Sequence, residues 1–429
     1  MSQICVNTVS PFSGFNVSIN SIQTKSGASP SGSIASGEYS IAAGINSCSI
    51  GQYSHAEGGS TQSCGNYSHS EGGGTQALGC YSHSEGCLTS SFGLGSHSEG
   101  ERTYSSGRGS HAEGYCSSSS ADFSHAEGYC NCTYGVRSHA EGQGNQTFGI
   151  GSHAEGHLTK SIGDYSHSEG YLTSASTEYS HAEGNQTLSS GLYSHAEGQL
   201  TIASGQSSHS EGYQTIASGT YSHSEGFLTT SSGFGSHAEG RETTASGCNS
   251  HTEGCQTIAS GNFTHAEGLS TLASAQASHA EGRCTTASGN YSHAEGRQTI
   301  ASGNTSHAEG CQTIASGANS HSQNTNNIAS GGSSHAGGVD SIASGNGSFV
   351  HSSNSLVSGS RSAILGGNSI TGTCANMVYV PDFTITKSAA VPTTSGDTVG
   401  DIGTITWDNT YLYVKTNTGW GRISLNYSF

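Results

Sequence analysis

Small and variable residues alternate along most of this chain, in a pattern that returns at every fourteenth position. One unit, starting at Ser292, reads S-H-A-E-G-x-x-T-I-A-S-G and is followed by two turn residues. It splits into two similar halves, Ser-x-Ala-x-Gly and Thr-x-Ala-x-Gly. Alternation of period two puts Ser, Ala and Thr on one side of an extended strand and the variable residues on the other. A unit this short cannot hold a helix pair, which needs roughly 33 residues or more. The unit therefore predicts two five-residue strands and two tight turns per coil. Stacked coils make an all-β fold, a flattened parallel β-roll or solenoid, with small residues filling a thin interior.

The register is fixed. Histidine recurs once per unit from His55 to His335, and glutamate follows two positions later from Glu57 to Glu309, in 19 units. A disordered tract would tolerate insertions, so an unbroken period means that each unit stacks on the next. All four prolines (Pro11, Pro30, Pro381, Pro392) lie outside the regular array, as expected where each N–H is needed for a ladder. Ser26-Gly27-Ala28 and Ser40-Ile41-Ala42 extend the Ser-His-Ala slots upstream, and Ser348-Phe349 and Ser362-Ala363 extend them downstream. The roll is thus expected over residues 26–373, with an attachment or cap segment at 1–25. Residues 374–429 form a β-rich tip or trimerisation domain. At ~4.8 Å per coil, such a roll is a rod of roughly 115 Å.

Each coil turns two faces outward. The Thr-x-Ala face drifts through Gln62, Tyr104, Lys160, Leu188, Ile202 and Thr230, which is the tolerance of a solvated surface. The His/Glu face hardly drifts, and at the ends it turns apolar: Ile41 and Phe349 take the His slot, and Leu365 the Glu slot. A slot that accepts such residues at both ends is expected to be buried. One chain cannot bury it alone, so the chain is expected to associate with itself, with these strands packed around a common axis. The interface ladder comprises His55, Glu57, His69, Glu71, His111, Glu113, His195, Glu197, His293, Glu295, His307 and Glu309, with their equivalents in other coils. Buried carboxylates need partners. Histidines two residues away and on neighbouring subunits supply them, and such pairing is expected to raise the histidine pKa values and lower those of glutamate.

Composition sharpens this picture. Glycine fills 64 of 429 positions, hydrophobic residues make up 31% and charged residues 10%, too little oil for a large conventional core. The formal net charge of −18 argues against nucleic acid as a partner. That charge is concentrated: outside the 19 ladder glutamates the chain is nearly neutral. No apolar run is long enough for a membrane span, and no membrane insertion is expected. The segment Met1–Lys25 lacks a basic region followed by an apolar one, so no secretory signal is expected. The 13 cysteines form no CxxC set or regular framework and read as free thiols of a reducing compartment, although Cys116 and Cys130 share a slot in adjacent coils.

The coil resembles the head domain of trimeric autotransporter adhesins, whose repeat is written S-V-A-I-G. Aligned on Ser292-His293-Ala294-Glu295-Gly296, its two apolar slots fall on His293 and Glu295. Ser362–Gly366, S-A-I-L-G, comes closer still. The resemblance implies a left-handed roll and a homotrimer. The S-H-A-E-G variant is similar to repeats in phage tail appendages and in fibre-like proteins of large DNA viruses. The run from Gly400 to Asp408, with Tyr411–Val414 and Thr418–Trp420, resembles short β-rich segments that close phage tail fibres. There Trp407, Tyr413 and Trp420 are the expected tip aromatics. The resemblance implies a structural fibre on the virion surface that binds a host-cell receptor or glycan, with no cofactor. The alternatives are a bacterial surface adhesin and a metal-binding or polymer-processing appendage enzyme. Imidazole and carboxylate suit zinc or nickel, and an axial metal reading falls on His55, His69, His293 and His307. A Ser-His-Glu triad does not fit, because on a strand the serine and the glutamate face opposite ways.

Overall fold

The computed structural model describes residues 21–24, 32–381, 391–392, 394–396, 403–408 and 410–425. Most of Met1–Lys25, Ser26-Gly27-Ala28 and Gly400–Ile402 lie outside the described residues. The chain is a parallel β-solenoid of about 25 coils of 14 residues, followed by a small C-terminal β domain. Among the described residues the His-bearing strands lie in one parallel sheet of 26 strands, in which each ladder histidine from His55 to His321 pairs with the histidine of the next coil, as His293 does with His307. The Ile-bearing strands form a second parallel ladder, with Ile300 opposite Ile314.

Between the two sheets lies a core of small side chains. Ala294 and Ala308 from one sheet pack with Ala287, Ala301 and Ala315 from the other, all fully buried. Ser292, Thr299 and their equivalents complete the interior. Methyl groups this small bury little area, and cohesion comes mainly from the backbone. His293, Glu295, Arg297, Ile300 and Ser302 each donate an N–H to the following coil at 2.8–2.9 Å. At about 1 kcal/mol net per bond, this ladder compensates for the scarcity of oil. Where the coil admits a larger residue, the interior becomes conventional: Val350, Val357 and Ile364 close it at the C-terminal end.

The second strand of each coil is shorter than expected, two residues rather than five, as in Ile300–Ala301. The His strand varies between five residues, as in His139–Gln143, and two, as in His293–Ala294. Left-handed turn residues cut the strands short. Gln298 and Thr305 have φ of 58° and 55°, and Gly296 has φ of 100°. A Cβ on Gly296 would sit 2.3 Å from the carbonyl oxygen of Gly310, so only glycine can follow the ladder glutamate.

Both ends of the ladder depart from strict period. Ser40–Ala43 pairs with Ser21–Thr24, so the residues beside Ser40 lie upstream of Ser26-Gly27-Ala28, the segment that the regular register assigns there. At the other end, Ala363–Ile364 pairs with Val378–Tyr379 after a register shift, and the ladder continues past residue 373. Beyond it, Ile405–Trp407, Tyr411–Thr416 and Gly419–Ser424 form a three-stranded antiparallel sheet.

Candidate functional site: the histidine and glutamate ladder

Inward Ser and Ala fix the direction of the two residues between and after them. His293 and Glu295 leave the same side of the strand, while Ser292 and Ala294 are buried. In-register pairing then stacks every imidazole on the next. Ring centroids of successive histidines from His55 to His321 lie 4.6–4.9 Å apart, with nearly parallel planes through most of the row. The row ends where His335 turns edge-on to His321 and stacks on Phe349 at 4.7 Å. Phe349 therefore continues the row of rings, and stacking accounts for an aromatic in that slot as well as burial does.

The glutamates run alongside. Within a coil, His Nε2 and Glu Oε2 are 3.5 Å apart at His111 and Glu113, 3.7 Å at His195 and Glu197, and 3.7 Å at His55 and Glu57. These separations exceed a hydrogen bond. Among the described residues only His307 and His321 reach a glutamate closely, bonding Glu295 and Glu309 of the preceding coil at 3.2 and 3.3 Å. Histidine side chains remain about one-third exposed in the single chain, whereas the Nε2 atoms of His69, His111, His195 and His293 are buried without a hydrogen-bond partner.

The charge arrangement differs from the expected His–Glu pairing. Burial, followed by the neighbouring imidazoles, pushes the pKa values of His69, His97 and His195 below the ordinary histidine value. At His181 the value falls to about 4. At these histidines desolvation, added to by repulsion from the neighbouring rings, outweighs the attraction of the carboxylates. The glutamates do not all fall either. Glu127 and Glu211 are pushed up to about 7, first by hydrogen bonds to neighbouring glutamates. Glu239 and Glu267 reach about 7, first through burial. Their neighbours Glu141, Glu225 and Glu253 are lowered by the same carboxyl–carboxylate bonds. From Glu127 to Glu141 and from Glu211 to Glu267, carboxyl groups raised and lowered in turn share protons along the row.

At the roll ends, Ile41 and Phe349 are half-buried, and Leu365 is exposed in the single chain. In the tip, Tyr413 and Trp420 are buried by their own small sheet, and Trp407 is half-buried. Tyr413 donates its hydroxyl to Asp408 at 2.9 Å, and Lys415 lies over Trp420. The serines before the ladder histidines face inward and are buried; many donate to turn carbonyls, as Ser152 does to Gly149 at 2.8 Å, while Ser292 and Ser306 have no hydrogen-bond partner. The described cysteines, including Cys116 and Cys130, are free.

One further row was not singled out from the sequence. Tyr39, Tyr53, Tyr67 and Tyr81 stack at 4.9–5.0 Å along an exposed edge of the rod, each with a positive φ. The signal was present, a tyrosine two residues before many ladder histidines.

The YadA head domain repeat model matches the chain twice, at residues 196–222 and 294–320. These two stretches, with the 14-residue period of the solenoid, fit YadA head-type repeats. Each matched segment opens on the Ala of a Ser-His-Ala-Glu-Gly, at Ala196 and Ala294. No curated protein matches the chain. With the solenoid, these repeats give an adhesin-like fibre.

Proposed function

We propose that the chain is the subunit of a homotrimeric structural fibre, an appendage of a virus or phage used in host attachment. The observation that carries the reading is the His/Glu face. It is a long, in-register sheet surface, one-third exposed in a single chain, with Nε2 atoms left without hydrogen-bond partners. A long face of stacked rings that turns apolar at both ends is costly to leave in water, and a neighbouring copy offers a cover. A cyclic arrangement of three copies covers the face of each and brings the apolar slots Ile41, Phe349 and Leu365 together at the rod ends.

The small-residue shaft then acts as a spacer, and the C-terminal sheets as a cluster of three tips. Three identical tips raise avidity even when each contact with a receptor or glycan is weak. The runner-up reading is a bacterial surface adhesin, and it is favoured by the head-type repeats themselves. Antibodies raised against the chain separate the two. Labelling of purified virions is expected; labelling confined to bacterial surfaces would replace the viral reading with the adhesin one. Binding of the full chain to host cells or arrayed glycans is expected, and uniform failure to bind either would overturn the attachment role.

A further inference from the structure

We infer that the ladder is an array of transition-metal sites within each chain, in which one His–Glu–His triplet from two successive coils holds a zinc-like divalent cation. In the sets His83–Glu85–His97, His97–Glu99–His111, His111–Glu113–His125, His125–Glu127–His139 and His153–Glu155–His167, all three ligand atoms lie within 4.8 Å of one another. Seven further groups of such ligands occur among the described residues. These sets differ from axial sites shared by three subunits, because one chain supplies every protein ligand.

Three observations favour a cation over a hydrogen-bonded ladder. The His Nε2 to Glu Oε2 separations in these five sets are 3.5–3.8 Å, too long for a hydrogen bond. Two ligands each ~2.0–2.1 Å from one ion span roughly 3.3 Å at a tetrahedral angle and up to ~4.1 Å as the angle opens. The His–Glu separations fall inside that range, whereas the two stacked rings of each set, 4.7–4.8 Å apart, lie outside it until one ring turns. Second, the Nε2 atoms of His83, His97, His111, His125, His139, His153 and His167 are buried and unpartnered, which leaves the usual ligating lone pair unused. Third, the donor set of two imidazoles and a carboxylate suits zinc, nickel or copper and is poor for calcium, which takes oxygen ligands. The second ring must tilt toward the ion to close the set, and its partly exposed side chain leaves room to do so. Bound ions would tie coil to coil and neutralise the carboxylate row.

Equilibrium dialysis of the full chain against zinc chloride, with metal analysis, is the test. Several zinc ions per chain are expected, with no comparable uptake of calcium. Consecutive sets share a histidine and fill alternately, so the variant combines E85Q, E99Q, E113Q, E127Q, E141Q and E155Q. It keeps every imidazole, leaves no ladder glutamate in the coils from His83 to His153, and is expected to lose zinc in proportion. Uptake of one ion or fewer per chain would overturn the inference, as would undiminished uptake by this variant, which would mean that imidazoles alone bind. If the variant fails to fold, cobalt(II) replaces it as the readout on the unaltered chain. Visible bands of nitrogen- and oxygen-ligated cobalt, displaced by zinc, are expected, and their absence would overturn the proposal. Because the sites lie within one chain, uptake is expected in monomeric and oligomeric fractions alike, so the result stands apart from the question of trimerisation.

Discussion

The imidazole of His335 stacks on the phenyl ring of Phe349, with centroids 4.7 Å apart and planes inclined by 19°. One slot of the coil thus accepts histidine or phenylalanine with ring contact kept, after His335 has turned edge-on to His321. Between the ends, where Ile41 and Ala363 take the slot, it holds flat rings at the spacing of neighbouring strands.

That relationship sets the first prediction. His195→Phe keeps the stack with His181 and His209, and is expected to fold with little loss of stability. His195→Ala removes two ring contacts and is expected to cost ~1–3 kcal/mol, at ~0.5–1.5 kcal/mol per aromatic pair. Thermal unfolding of the two variants checks the order. A phenylalanine variant less stable than the alanine one would show that imidazole chemistry matters more than ring shape.

A second prediction concerns pH. Histidines such as His181 have folded pKa values below 6.5, so their contribution is present above ~6.5 and is lost as pH falls toward about 4. Glu127, Glu211, Glu239 and Glu267 have folded values raised from 4.5 to about 7. Their contribution is present below 4.5 and is lost as pH rises through about 7. The two rows oppose one another between these limits. Replacing the four glutamates by glutamine fixes the neutral form, so the fourfold variant is expected to melt higher than the parent at pH ~8. At pH ~4.5 the two are expected to melt alike. A lower melting temperature on the alkaline side would contradict the shared-proton ladder.

Glycine after the ladder glutamate gives a third. Gly296→Ala places a methyl 2.3 Å from the Gly310 oxygen at φ of 100°, and is expected to cost more than ~2 kcal/mol. Gly73→Ala meets nothing within 4 Å and is expected to stay within ~0.5 kcal/mol of the parent. Denaturant melts of both proteins check the contrast, and equal losses would mean that the turn geometry is wrong.

The interior supplies a fourth. Asn131 and Asn145 fill the slot that Thr occupies in most coils. Asn131 accepts the N–H of Asn145 at 2.7 Å and donates to Gly142 at 2.8 Å. Asn131→Ala removes these bonds and a third, donated to the Glu127 carbonyl, and is expected to cost ~1–3 kcal/mol, because buried partners are left unsatisfied. Asn131→Thr restores the residue that most coils carry in this slot and is expected to lose less, as measured by the same melts.

Much of the fold was legible in the sequence because the coil leaves so little choice. Ser292, Ala294, Thr299 and Ala301 share one parity, and all four are buried. Strand length was not legible, since it depends on left-handed residues such as Gln298 and Thr305, which carry no Gly or Asn signature. Ser21–Thr24 was missed because a longer connection breaks the period just before Ser40. The ladder residues were identified, but their electrostatics came out differently. Along the sequence, a glutamate two residues away is the evident partner of each histidine. In the stacked sheet, the rings of adjacent coils lie face to face and, with burial, govern the titration.

The association of the His/Glu face is tested most directly by the mass of the full chain in solution, from sedimentation equilibrium or light scattering at neutral pH. The account expects a species of three chains of 43.5 kDa each that persists on dilution. A stable monomer of 43.5 kDa would contradict it.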